Sequence, residues 1–282
     1  MERKRIAIIG IGLIGGSLAL QLNEKGFASK IIGVEASEEH AKKALELGLV
    51  DEVLPLDEAI AGADVIFLAI PVDKMVGLLP SILDKVEKQI VIDMGSTKDL
   101  LLKAVADHPR RKRYVATHPM WGTEYSGPAA AVKGAFENKA VIFCNESDSD
   151  ADALAWTRDM YKGIGMHLLS MEAESHDLHA AYVSHISHIT SFALANTVLE
   201  KEKEDDAIFE MASAGFESTV RLAKSNPAMW VPILMQNKEN VLDVLNEHIS
   251  QLRKFKSCLE KENWDYLSEL ISGANKIKKI IR

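Results

Sequence analysis

The residues that could do chemistry in this chain lie mostly just after short apolar runs. The first set is a glycine-rich turn, Gly10-x-Gly12-x-x-Gly15, behind the apolar run 6–9 and ahead of a helical pattern over 13–23. An acidic residue, Glu35, follows twenty positions after Gly15, at the end of the next apolar run. Strand, glycine turn, helix and a later carboxylate together form a dinucleotide-binding pattern. Gly12 leaves room for a pyrophosphate, and Gly15 lets the helix pack on the sheet. The first turn of that helix, with Leu13 and Ile14, turns free N–H groups and a positive dipole end toward the phosphates. Glu35 can accept hydrogen bonds from the adenosine ribose hydroxyls and would repel a 2′-phosphate. Residues 36–38 offer no arginine to offset that repulsion, so NAD is expected rather than NADP.

Ligands in such sheets sit beyond the carboxyl ends of the strands. That rule selects three more segments: 69–72, containing Ile70 and Pro71 beside the cofactor; 93–98, containing Ser96; and 117–124, containing His118. His118 is expected just after a strand, stiffened by Pro119. A neutral imidazole there can take a proton from an alcohol while hydride leaves the same carbon. Ser96 could hydrogen-bond the same hydroxyl or the cofactor. His176 and His179, and His185 and His188, lie three apart, as helical metal ligands can. No carboxylate or cysteine completes a convincing ligand set, so no metal is expected.

These residues need a scaffold. Apolar runs at 6–9, 31–34, 64–70, 90–94, 114–117, 140–143 and 166–169 read as buried strands, with helical patterns at 13–23, 38–47 and 151–161. Alternating strands and helices imply a Rossmann-type α/β domain over 1–171, with a mostly parallel sheet. Beyond residue 172 no strand pattern remains. Helices are expected over 172–199, 206–224, from Pro227 past Leu252, and over 264–281. The all-helical segment 172–282 carries more apolar stripe than one chain readily covers, so a homodimer with interlocking helices is expected; the alternative is a bundle closed on its own first domain.

Composition narrows the function classes. The chain has 282 residues, enough for two domains, with 47% hydrophobic and 26% charged residues. Acidic residues outnumber basic ones 41 to 33, a formal net charge of -8, which excludes a broad nucleic-acid-binding surface. The two cysteines match no metal or redox spacing. No secretory leader and no run of about 18 apolar residues is visible. A cytoplasmic protein without a membrane segment is expected.

Several separated motifs then combine. Besides the glycine turn they are Asp93-x-x-Ser96-x-Lys98, Thr117-His118-Pro119-x-x-Gly122-Thr123-Glu124, His176-Asp177, Ser184-His185-x-x-His188, Gly215-Phe216-x-x-x-x-Arg221 and Pro227-x-x-Trp230. In this order and spacing the chain resembles the prephenate dehydrogenase family of tyrosine biosynthesis along nearly its whole length. The resemblance implies NAD-dependent oxidative decarboxylation of prephenate to 4-hydroxyphenylpyruvate. It implies that His118 assists deprotonation of the ring hydroxyl, with Ser96 nearby, and that Arg221 binds a substrate carboxylate. It implies that His185, His188, Thr123, Glu124 and Trp230 line the substrate pocket. The chain departs from the family pattern at Trp121, where a small residue is usual, at Ser187, where proline is usual, and at Ser218 and Val220 before Arg221. Arogenate as substrate stays open, as does a non-catalytic NAD sensor, although a sensor would need no base. A β-hydroxy-acid dehydrogenase would carry a catalytic lysine on the first helix after residue 172, and 172–199 contains none.

Overall fold

The computed structural model describes residues 2–203 and 207–280. Its contacts divide the chain into two compact units, one ending at Asn237 and one starting at Lys238.

The first unit is built on an eight-stranded sheet: β1 (Lys4–Ile9), β2 (Ala28–Val34), β3 (Glu52–Val53), β4 (Val65–Leu68), β5 (Ile90–Asp93), β6 (Tyr114–Pro119), β7 (Ala140–Cys144) and β8 (His167–Met171), in the order β3-β2-β1-β4-β5-β6-β7-β8. All pairs are parallel except β6 with β7. The strand order reverses direction between β1 and β4, which opens the crevice that Rossmann-type sheets use for ligands. The strands are apolar on both faces because both are covered. Ile6, Ile8, Val65, Phe67, Ile92, Val115, Val141 and Phe143 feed one core cluster. Their neighbours Ala7, Ile9, Ile66, Leu68, Val91, Ala116 and Ile142 feed the other. Helices α1 (Leu13–Glu24), α2 (Glu38–Glu46), α3 (Leu56–Gly62), α4 (Val72–Lys85), α5 (Asp99–Ala104) and α6 (Ala151–Gly163) connect the strands.

Beyond β8 the chain is helical. A helix runs from α7 (Ala173–Ala180) through a π-helical stretch (Ala181–His185) into α8 (Ile186–Glu202). The expected single helix over 172–199 is therefore present but locally widened. Such π turns displace side chains from the α-helical repeat and occur often at functional sites. The expected helix over 206–224 is not continuous. It is divided into α9 (Ala207–Glu210), α10 (Ala214–Val220) and a 3-10 turn over Arg221–Lys224, because Ser213 adopts extended backbone. Residue 206 lies outside the described residues. The helix expected from Pro227 past Leu252 is two, α11 (Pro227–Gln236) and α12 (Lys238–Glu260). The break is Asn237, whose side chain bonds Asp177 and His185; asparagine at a helix end competes for bonds in this way. The expected helix over 264–281 stops as α13 (Trp264–Ala274) and tightens to a 3-10 turn over Asn275–Lys279, and residues 281–282 lie outside the described set. Strand β3 was not expected; its two residues are too few to leave a periodic pattern.

The second unit consists of α12 and α13, joined by a tight turn in which Glu262 has positive φ. Asn263 caps α13 by accepting the Tyr266 N–H. No described helix is long and apolar enough to cross a membrane.

Candidate active site

The glycine turn leaves β1 at its carboxyl end. Gly10 has φ +91, and a Cβ there would lie 2.7 Å from the Ala69 carbonyl oxygen. A Cβ on Gly15 would lie 2.0 Å from the Gly10 oxygen, so neither position admits a side chain. Gly12, by contrast, faces open space: nothing lies within 4 Å of its virtual Cβ. It is also the N-cap of α1, with no side chain bonding the first-turn N–H groups. The cradle therefore offers uncapped donors, a helix dipole and free approach, which fits a pyrophosphate. Glu35 sits just past β2 and accepts from Ile11 N at 3.0 Å and Ser37 N at 3.1 Å. Its carboxylate is thereby held at the rim of the same turn, the position from which a ribose diol is recognised. Ile70 and Pro71 follow β4, and the Ile70 side chain packs against Gly10.

Two strands along the sheet from β1, a buried carboxylate organises the next loop. Asp93, the last residue of β5, is fully buried. It accepts the Lys98 ammonium, the Tyr114 hydroxyl at 2.8 Å, Gly95 N at 2.9 Å and Thr117 N at 3.1 Å. Burial, and then Asp93, push the Tyr114 phenol well above its usual range, so it remains a donor. Thr117 donates to the Asp93 backbone oxygen and shares a hydrogen bond with the Tyr161 hydroxyl at 2.9 Å. The turn carrying Ser96 is thus clamped on both sides. Ser96 itself is partly exposed and makes no hydrogen bond among the described residues.

His118 lies inside β6, paired with Ile142, rather than after the strand as expected. The strand is longer because β7 continues to pair with it to Pro119. The ring is partly exposed, and its one hydrogen bond among the described residues runs from Nδ1 to His176 Nε2 at 2.8 Å. Burial first, then His176, Lys98 and His185, hold the His118 imidazole well below its usual range. It is therefore neutral at pH 7. His176 in turn bonds Asp177 Oδ1 through Nδ1 at 2.7 Å. Asp177 also accepts Lys98 N at 2.8 Å and Asp99 N at 3.0 Å, capping α5 from a different element. None of Asp93, His176, Asp177 or Asn237 was assigned a role in the reaction from sequence, although the first three were part of motifs. The available signal was a carboxylate ending a fully apolar strand, and a His-Asp pair on an otherwise amphipathic helix.

The π stretch and α8 bring two more imidazoles to α11. His185 is buried, accepts from Asn237 Nδ2 at 3.1 Å, and meets Trp230 edge-on at 5.9 Å. Burial, outweighing the opposing pull of Asp177, lowers its pKa to about 4. His188 donates Nδ1–H to the Ser184 carbonyl at 3.0 Å and stacks on Trp230 with centroids 3.5 Å apart. Its pKa is also lowered, by burial and by the charge of Arg221. The buried Trp230 indole N–H has no partner among the described residues. Arg221 is half-exposed, and it bonds Glu124 Oε2 at 3.4 Å. Thr123 lies beside Glu124 and accepts from Tyr125 N at 3.3 Å. Hydrogen bonds and ring contacts thus link His118 to His176, Asp177, Asn237, His185, Trp230 and His188, and Arg221 sits close enough to bias the last of these. Trp121 packs edge-on against Phe136, centroids 5.5 Å apart, beside the sheet core. Ser187 and Ser218 are exposed, and Val220 is partly buried.

The whole chain is matched by known proteins. Residues 18–170 match the family model "Prephenate dehydrogenase, nucleotide-binding domain", and residues 172–273 match "Prephenate dehydrogenase, dimerization domain". Prephenate dehydrogenase of Bacillus subtilis is 34% identical over 269 residues, covering 93% of this chain and 72% of that protein. Cyclohexadienyl dehydrogenase of Zymomonas mobilis is 31% identical, covering 99% of this chain and 96% of that protein. Among solved structures, prephenate dehydrogenase from Aquifex aeolicus in complex with hydroxyphenyl propionate and NAD+ superimposes with a TM-score of 0.88. It is 29% identical, and the match covers 100% of this chain and 99% of that one.

Replacing Lys98 with methionine strips the ammonium from Asp93 and leaves a buried carboxylate short of one partner. We expect Lys98→Met to lower unfolding free energy by about 3–5 kcal/mol in urea titration. A change under about 1 kcal/mol would show that Asp93 does not depend on the pair.

Proposed function

The chain belongs to the prephenate dehydrogenase family, and from that premise we propose that it converts prephenate and NAD to 4-hydroxyphenylpyruvate, carbon dioxide and NADH. The observation that carries the reading is His118, a neutral imidazole at the carboxyl edge of the sheet with its only bond on Nδ1. A base of that kind is what oxidation of a secondary alcohol requires.

NAD, held by Gly10, Gly12, Leu13, Ile14, Gly15 and Glu35, and flanked by Ile70 and Pro71, supplies the hydride acceptor. His118 Nε2 takes the proton of the ring hydroxyl as hydride leaves the same carbon. The ring carbonyl so formed is conjugated to the carbon bearing the carboxylate. The electron pair of that carbon–carboxylate bond then completes the aromatic ring as carbon dioxide departs, and the ring oxygen regains the proton held by His118 to give the phenol. Ser96, on its clamped turn, can bond the reacting hydroxyl. Arg221 pairs with a substrate carboxylate through its planar fork, exchanging part of its contact with Glu124 for the ligand. His185, His188, Thr123, Glu124 and Trp230 form the surrounding wall, which fixes the ring relative to the nicotinamide.

The same reading assigns residues 1–171 to nucleotide binding and 172–282 to substrate binding and to a homodimer in the cytoplasm. The helical part exposes Leu178, Tyr182, Val183, Leu199, Val231 and Leu252, an apolar load that a second copy would cover. Net charge of -8 argues against nucleic acid as a partner.

Purified protein mixed with NAD and prephenate should generate absorbance at 340 nm, and arogenate in a parallel cuvette should give a lower kcat/KM. No NADH with prephenate at any enzyme concentration would reject the assignment, and faster turnover of arogenate would transfer it. His118→Asn should cut kcat about 10²–10⁴-fold while NAD still quenches tryptophan fluorescence. Because the folded environment lowers the His118 pKa, the neutral base persists below pH 6.5. The acid limb of kcat/KM, which reports the free enzyme, should therefore lie below the ordinary histidine range; a limb at or above pH 7 would contradict this. Arg221→Ala should raise the KM for prephenate about 10- to 100-fold, the loss expected for a charge-assisted pair, with little change in the KM for NAD.

A further inference from the structure

We infer that His176 and Asp177 are positioning residues that lock His118 into the tautomer with its proton on Nδ1, leaving Nε2 as the proton acceptor. The inference rests on His118 being the base proposed above, but it concerns the resting protein and can be read without substrate.

The argument is one of donors and acceptors. The Asp177 carboxylate has no proton to give. Its Oδ1 accepts Lys98 N and its Oδ2 accepts Asp99 N, so the group is fixed in place by the backbone at the start of α5. His176 Nδ1, 2.7 Å from that Oδ1, must therefore be the donor. In the inferred chain of bonds each ring carries one proton, so His176 Nε2 presents a bare lone pair. It lies 2.8 Å from His118 Nδ1, and only a proton on His118 Nδ1 makes that contact a hydrogen bond. His118 Nε2 is left unprotonated and without a partner among the described residues. A carboxylate behind an imidazole commonly enforces a tautomer in this way; here the order passes through a second imidazole.

Burial makes the lock firm. His176 is 0% exposed and Asp177 only 3%, so water cannot readily satisfy either of these two groups if the chain of bonds is reversed. The two rings meet at 70° with centroids 5.0 Å apart, which leaves a single N–N contact between them. When His118 takes the hydroxyl proton at Nε2, its Nδ1–H stays in place, donated to His176 Nε2. The new positive charge then lies two hydrogen bonds from the Asp177 carboxylate, with no atom exchanged along the chain. Asn237 holds the other side of Asp177, donating to its backbone oxygen at 2.6 Å.

The test is 15N NMR of histidine-labelled full-length protein at pH 7.5, with the His118 signals identified by their loss in His118→Asn. Long-range 1H–15N correlations distinguish a pyrrole-type Nδ1 from a pyridine-type one. Wild type should show His118 protonated on Nδ1. His176→Leu should lose that pattern, with kcat down about 10- to 100-fold and the KM for NAD within about twofold. His176→Gln, whose amide oxygen can still accept from His118 Nδ1, should keep the pattern and recover most of kcat. An Nε2-protonated His118 in wild type overturns the inference. So does an unchanged pattern in His176→Leu, or equal losses of kcat in the leucine and glutamine variants. If the leucine variant does not fold, the tautomer in wild type and His176→Gln decides alone. Absence of prephenate turnover would sink the functional reading, yet would leave the tautomer result standing or falling by itself.

Discussion

A carboxylate with no access to water must find every one of its partners inside the protein, and Asp93 does so by drawing on two stretches of chain, its own loop and β6. Lys98 and Gly95 come from its own loop, Tyr114 from the start of β6, and the Thr117 N–H from the residue before His118. Each partner removes a degree of freedom from a part of the site. The Ser96 turn cannot shift without breaking the Gly95 or Lys98 contact, and β6 cannot slide without breaking the one to Thr117. An apolar side chain at this position would pack as well and cost less to bury. It would not tie together two adjacent strand ends that carry the serine and the imidazole. Lys98 extends the tie, since its backbone N–H is held by Asp177. Two buried carboxylates, one from the sheet and one from α7, thus hold the same residue, the first by its ammonium and the second by its backbone N–H.

The elements that were legible beforehand were those in which burial imposes a simple period. Parallel strands buried on both faces leave unbroken apolar runs, so β1, β2, β4, β5, β6, β7 and β8 could be anticipated within a few residues. The glycine turn was readable because sterics admit no alternative at Gly10 and Gly15. The helical part was read less well. A continuous 3.6-residue pattern does not reveal where Asn237 or Ser213 interrupts it, because those breaks are decided by bonds to distant residues. The π turn at Ala181–His185 is equally silent: inserting one extra residue into a turn leaves composition and hydropathy unchanged.

Individual side chains divide along the same line. His118, Ser96 and Glu35 could be singled out from their places at or just past the carboxyl ends of strands, a local property. The His118–His176 contact spans 58 positions and the Arg221–Glu124 contact spans 97. Spacing along the chain carries no information about such pairs; only the motif pattern as a whole connected these residues to one site. Trp121 illustrates the converse. Its size marked it as a departure, and the structure gives it an edge contact with Phe136 and a place at the core margin. Part of its bulk is therefore absorbed by packing.

The electrostatics follow from where water is excluded. Three imidazoles, His118, His185 and His188, all have lowered pKa values with burial as the leading cause, so the histidine-rich wall is uncharged at neutral pH. Positive charge close to His188 comes from Arg221, which is 53% exposed where its partner Glu124 is 16% exposed. A doubly anionic substrate therefore meets a cation at the rim and neutral rings further in. Had the histidines been cationic, they would have attracted the anion more strongly but could not have accepted its proton. On the proposed mechanism, desolvation separates the two tasks, giving attraction to the solvated guanidinium and proton transfer to the neutral imidazole. On the inferred tautomer lock, the Asp177–His176 pair serves the second task by supplying a hydrogen-bond direction through a second imidazole rather than placing a bare anion next to the base.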